Sequence, residues 1–111
     1  MVFKPQVVII GTGGTISSVG RDSLDLVRYV DNQKVYQVDE LIDAFPEVRS
    51  QADLIPVGLG DIPSTSIGPK EWLEINAKIH DVAAENPSVD GIVITHGTST
   101  LEETAYFLNL V

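Results

Sequence analysis

Hydrophobic and polar positions along this chain fall into alternating blocks. The first apolar block, Val7 to Ile10, is a run of four β-branched residues, the pattern of a strand buried on both faces. It runs straight into "GTGGTISS", three glycines among hydroxyls, where the backbone can turn sharply and come close to a ligand. The stretch "SSVGRDSLDLVRYVDNQKVYQ" then has no period and is long for a connection in a compact domain, which marks it as a lid or binding loop. "VDELIDAF" reads as a short helix with Leu41, Ile42 and Phe45 on its apolar face and Pro46 as its stop. "ADLIPVG" is a second strand, ending in the hydroxyl-bearing turn "LGDIPSTSIGP". From Pro69, "PKEWLEINAKIHDVAAENP" is the clearest helix: proline takes its first position, and Trp72, Ile75, Ile79 and Val82 recur at helical spacing. His80, between them, reads as a surface or edge histidine. "GIVITHGTSTLEETAYFLNLV" repeats the opening logic of strand, glycine, hydroxyls and helix, with Leu101, Ala105 and Leu108 on one side.

The order β, loop, α, three times over, predicts an α/β fold: a doubly wound parallel sheet covered by helices, with right-handed crossovers. In a 2-1-3 strand order the ligand crevice lies between the first and third strands, beyond their carboxyl ends. "GTGGT" and "THGTST" end those two strands and would bring Thr15 and Thr98 to a common pocket. A dinucleotide loop would need glycine where Ile16 stands, and a phosphate-binding loop would need a lysine after the glycines, so both readings fail. Ser99 with Glu102, or Thr100 with Glu103, fits a helix capping box, an alternative to a role in chemistry. His96 reads either as a general base or as a strand-end residue satisfying backbone groups.

Composition narrows the partners. Sixteen acidic against seven basic residues among 111 give a formal charge of -9, which argues against nucleic acid and against an anionic membrane surface. With no cysteine there is no disulfide, thiolate metal site or cysteine nucleophile. The run Val7 to Ile10 is far too short to cross a membrane, and "MVFKPQ" lacks a secretory apolar region, so the expectation is a cytoplasmic protein.

"TGGTI" at Thr12 to Ile16 and "THGTSTLEETAYFL" at Thr95 to Leu108 closely resemble the two signature segments of the bacterial-type L-asparaginase/glutaminase family. "DIPSTSIGPKEW" resembles that family's substrate-binding serine loop followed by a helix bearing tryptophan. The resemblance implies a flavodoxin-like, three-layer α/β/α sheet of which residues 1–111 are the N-terminal, incomplete part, with the rest of the catalytic domain and a C-terminal domain absent. The chain stops at Val111 inside an apolar helical segment, in keeping with that expectation. The activity implied is hydrolysis of a small-molecule carboxamide to carboxylate and ammonia through an acyl-enzyme on a threonine, with no metal or organic cofactor. The nucleophilic threonine corresponds to Thr15, the second threonine to Thr98, and the substrate-holding serine to Ser64 with Thr65 beside it. A threonine hydroxyl is a weak nucleophile and needs a base or relay within reach. The family uses a lid tyrosine, here Tyr29 with Tyr36 as the alternative, and a lysine that would lie beyond Val111. Backbone donors for the developing oxyanion would come from Gly14, Thr15 or Gly97. Relatives carry an aspartate that holds the substrate's α-ammonium where this chain has Ser99, so the charge selecting an amino-acid substrate is gone. Assembly as a homo-oligomer, dimer or tetramer, is a further implication. A second class of function, a non-catalytic small-molecule-binding member of the same family, is disfavoured by retention of Thr15, Ser64 and Thr98 together.

Overall fold

A computed structural model describes residues 3–111. Strand β1 (Gln6–Gly11) is central, flanked by β4 (Asp53–Gly58) and β5 (Gly91–Thr95), both parallel to it, in the order β4-β1-β5. This is the 2-1-3 arrangement of a doubly wound sheet. Val7 pairs with Leu54 and Gly91, and Ile10 with Val57 and Ile94. Pro56, which lacks an N–H, is accommodated because β4 is an edge strand.

Successive strand side chains point to opposite faces, and on β1 both faces are covered. On one side Val8 and Ile10 pack with Val82 and Ile79 of helix α3 (Pro69–Glu85) and with Ile92 and Ile94. On the other, Ile9 packs with Val38 and Ile42 of helix α1 (Val38–Asp43) and with Leu54. That two-sided burial is why β1 is β-branched without alternation. A short helix α2 (Val48–Gln51) leads into β4, and α4 (Leu101–Leu110) follows β5. Helices α3 and α4 meet where the rings of Trp72 and Phe107 stack at 5.5 Å between centroids. Pro69 opens α3, and the Glu71 carboxylate accepts the Gly68 N–H at 3.0 Å, meeting one of the orphan donors of the first turn.

Three details differ from the sequence-based expectation. The apolar face of α1 is Val38, Leu41 and Ile42; the helix ends at Asp43, and Phe45 lies past it, 55% exposed. Phe45 lines an apolar groove with Ile9, Leu41, Leu54 and Val93 instead. On that side no helix of the described residues covers β5, which leaves Val93 49% exposed. The aperiodic stretch after β1 is also not a plain loop. Ser18 pairs with Val35 and Val19 with Lys34 in a two-residue antiparallel ladder of β2 (Ser18–Val19) and β3 (Lys34–Val35), with a tight helical turn at Tyr29–Asn32 between them. Asp25 organises the tip, accepting the N–H groups of Arg21 and Arg28 and the Arg21 guanidinium. Those bonds, the Arg21 N–H first, hold its carboxyl below the ordinary aspartate value.

No helix among the described residues is long and apolar enough to cross a membrane.

Because Ile10 is completely buried between the sheet and α3, Ile10→Ala should cost about 2–5 kcal/mol of unfolding free energy in chemical denaturation. Val93→Ala, on the uncovered side of β5, should cost well under half as much.

Candidate active site

The site is built at the carboxyl ends of the three parallel strands. β1 ends at Gly11, and Thr12 ties the following turn to β5: its N–H and its hydroxyl both donate to the Thr95 carbonyl, at 3.2 and 2.8 Å. Gly13 and Gly14 then take φ values of 84° and 85°, in the left-handed region that glycine adopts without penalty. A Cβ on Gly14 would stand 2.9 Å from the Cα and N of Gly97, so the two backbones touch. Thr15 opens a tight helical turn, Thr15–Ser17, and is exposed.

The loop after β4 brings in Ser64. A Cβ on Gly97 would meet the Ser64 hydroxyl oxygen at 2.6 Å, so the Ser64 side chain occupies the space that glycine leaves. Thr100 Oγ1 donates to the Ser64 carbonyl at 2.7 Å, and the Ser99 N–H is directed at Ser64 Oγ at 3.4 Å. The capping boxes expected at Ser99 and Thr100 do not form. Thr100 takes the cap position of α4 without a side-chain cap bond, its hydroxyl being used to clamp the Ser64 loop.

A cavity of about 470 Å³ opens between these loops. Gly14, Thr15, Tyr29, Ser64, Thr65 and Ser99 all line it. Gly97 is buried against Ser64 and Gly14 without lining the cavity, and Thr98 sits exposed between Gly97 and Ser99, starting the turn Thr98–Thr100. The structure does not include Thr98 in the lining. Tyr36 lies apart, against the back of the glycine turn in a small cleft with Gly13 and Ser17.

Two charged residues of the lining, Lys34 and Asp61, were not foreseen from the sequence. Asp61 precedes Ser64 in the same turn and packs on Gly13, its Oδ1 3.5 Å from the Gly14 N. Lys34 stands 5.9 Å from the Tyr36 ring centroid. The ion pairs among the described residues, Arg21–Asp25, Arg28–Asp31, Arg49–Asp43 and Lys70–Glu74, engage neither of them. Asp61 could have been noticed as the acid next to a hydroxyl-rich turn, whereas nothing local marks Lys34.

His96 is 8% exposed, and both its ring nitrogens are occupied. Nδ1 lies 2.6 Å from the Gly97 carbonyl oxygen and Nε2 lies 2.9 Å from Thr104 Oγ1. Of the two readings of His96, the backbone-satisfying one holds, and no lone pair is left to act as a base toward the cavity. His80 is exposed on α3. Among the described residues no three His, Cys, Asp or Glu side chains converge as metal ligands would.

The family model described as "Asparaginase, N-terminal" matches residues 6–111. The chain belongs to the asparaginase family. It is 44% identical over 108 residues to a glutaminase-asparaginase of Acinetobacter glutaminasificans, covering 97% of this chain and 32% of that protein. With L-asparaginase 2 of Bacillus subtilis it shares 41% identity over 106 residues, covering 96% of this chain and 28% of the relative. Among solved structures, a probable cytoplasmic L-asparaginase from Campylobacter jejuni superposes with a TM-score of 0.80 at 39% identity, over 97% of this chain and 31% of that one. The chain thus spans about a third of the length of these relatives.

The Ser64 loop runs directly into α3, so the α3 start supports the site. The Gly68 N–H bond holds the Glu71 carboxyl below the ordinary glutamate value. A depressed pKa contributes stability that is present above the unfolded-state value and is lost as pH falls through the folded-state one. Glu71→Gln should therefore lower the melting temperature at neutral pH and flatten the acid limb of the stability profile. Calorimetry between neutral pH and the acid range below glutamate titration would check this.

Proposed function

We propose that the whole protein is an amidohydrolase that cleaves a small-molecule carboxamide, asparagine or a related amide, to the carboxylate and ammonia. Residues 1–111 form the N-terminal part of its catalytic domain. The observation that carries the reading is the convergence of Thr15, Tyr29, Ser64 and Ser99 on one cavity, with the Thr98 turn clamped to the Ser64 loop at its rim. Family membership and the names of the relatives support the reaction class.

In this mechanism Thr15 Oγ attacks the amide carbon. Its proton passes to the relay, and the tetrahedral oxyanion is met by a backbone N–H of the glycine turn that lines the cavity, at Gly14 or Thr15. Collapse breaks the C–N bond, the nitrogen leaves as ammonia after taking up a proton, and water then hydrolyses the threonine ester to release the carboxylate and restore Thr15. Tyr29, in the cavity wall, is the phenol of the relay; Thr98 supplies the second hydroxyl, and a lysine beyond Val111 completes it. Ser64 and Thr65 hold the substrate. No resident metal or organic cofactor takes part. The same reading makes the protein a homo-oligomer of the cytoplasm, the compartment named for the Campylobacter jejuni L-asparaginase that it resembles in fold.

In the whole protein Thr15→Ala should lower ammonia release on the order of a thousandfold or more, and Thr98→Ala nearly as far. Groups acting as one unit give non-additive losses, so the double variant should be scarcely worse than either. Additive losses would separate the two hydroxyls. Absence of ammonia from every amide tried with the unsubstituted protein would replace the reading with a small-molecule-binding one.

The finer proposal is that the substrate is an amide without an α-ammonium group, because Ser99 offers a neutral hydroxyl where a carboxylate would make a charge-assisted bond. A hydrogen bond to a charged group contributes about 1.5–3 kcal/mol, on the order of ten- to a hundredfold in specificity. Ser99→Asp should accordingly raise kcat/KM for asparagine relative to succinamic acid by about tenfold or more, with little change in melting temperature. An unchanged ratio would place ammonium recognition on another group, Asp61 being the carboxylate that lines the cavity.

A further inference from the structure

Outside the cavity lining lies a chain of hydrogen bonds, buried at His96 and half-buried at Trp72, that the proposed reaction does not use. Trp72 Nε1 lies 2.9 Å from Thr104 Oγ1, Thr104 Oγ1 lies 2.9 Å from His96 Nε2, and His96 Nδ1 lies 2.6 Å from the Gly97 carbonyl oxygen. Thr104 is 3% exposed. The chain links the loop after β5 and the helix α4 that follows it to α3, which the fold brings against them.

The chemistry of the two end groups fixes the direction of the outer bonds, and a neutral ring fixes the one between them. A carbonyl oxygen only accepts, so His96 Nδ1 carries the proton. In a neutral ring Nε2 is then an acceptor, and the Thr104 hydroxyl must donate to it. An indole N–H only donates, so Thr104 Oγ1 accepts from Trp72. With the ring neutral, the four groups form one one-way sequence, from Trp72 through Thr104 and His96 to Gly97.

Its end point matters because the Gly97 carbonyl and the Thr98 N–H belong to a single planar peptide unit. A bond that orients the carbonyl therefore orients the Thr98 N–H and the exit direction of the Thr98 backbone. Gly97 is also the residue on which Gly14 and Ser64 close. We infer that Trp72, Thr104 and His96 are positioning residues, a buried relay that fixes the Gly97–Thr98 peptide plane and so aligns the Thr98 hydroxyl with Thr15. The catalytic consequence rests on the proposed amidohydrolase reading; the geometry does not.

Misplacement of a reacting group by about 1 Å can cost on the order of a hundredfold in rate. Thr104→Val keeps the side-chain shape and removes both bonds, while Thr104→Ser keeps the hydroxyl. In the whole protein Thr104→Val should lower kcat for amide hydrolysis by about tenfold with KM changed less than about twofold, and Thr104→Ser should restore kcat to within about twofold. A purely structural role would lower the melting temperature in both variants and leave kcat alike in the two, which would overturn the inference. A readout free of activity comes from nitrogen-15 NMR of the imidazole and indole groups. The expected result is an Nδ1-protonated His96 and a slowly exchanging Trp72 Nε1–H, with exchange accelerated and the Gly97 and Thr98 amide signals moved in Thr104→Val but not in Thr104→Ser. An Nε2-protonated His96, or Gly97 and Thr98 signals unmoved by loss of the hydroxyl, would sink the relay. If the unsubstituted protein released no ammonia, the catalytic reading would fall while these NMR outcomes would still decide the relay.

Discussion

The site depends on a place where two main chains touch. Gly14, at a φ of 85°, and Gly97 approach so closely that a methyl group on Gly14 would stand 2.9 Å from the Gly97 backbone, and the Ser64 side chain fills the space left at Gly97. Three loops, each leaving a different parallel strand, meet through this contact. Their hydroxyls are near one another because their backbones are, and backbones can come that close only where Cβ atoms are missing. The sheet order supports the arrangement from below. With β1 in the middle, its glycine turn has the end of β4 on one hand and the end of β5 on the other.

Most of this was legible in the chain because it is written in local signals. Four β-branched residues before glycines, proline at the first turn of α3 and apolar residues at helical spacing each point to one outcome, and the fold follows them within a residue or two. Phe45 misled because apolar character at helical spacing does not say where a helix stops; α1 ends at Asp43 and the ring falls into a groove beside Val93. The ladder of Ser18–Val19 with Lys34–Val35 left no trace, since two residues per strand are too few for alternation to register. The capping boxes at Ser99 and Thr100 were reasonable locally and were overridden by a partner far away, the Ser64 carbonyl. His96 had two open readings for the same reason. Its partner Thr104 sits on the helix that follows, and Thr104 is in turn held by a tryptophan from another helix. Sequence spacing carries no record of such a contact.

Charge is distributed unevenly with respect to the cavity. Among the described residues Asp61 is the one acidic side chain that lines it, and Lys34 is the one cation in the wall. The rest of the lining is hydroxyl, amide, glycine and apolar carbon. The wall is therefore made mostly of neutral dipoles, with one positive and one negative side chain that do not pair with each other.

The ladder of β2 with β3 also has a thermodynamic consequence. It closes the segment from Gly20 to Gln33 at its base, the Tyr36 N–H adds a bond to the Ser17 carbonyl, and Asn32 Nδ2 donates to the Val19 carbonyl from within. The configurational entropy of bringing the ends of that segment together is therefore lost when the chain folds, before any ligand arrives. Closing the base of the segment shortens the stretch that contacts with a ligand must still order, and a smaller ordering cost leaves more of the free energy of those contacts as affinity.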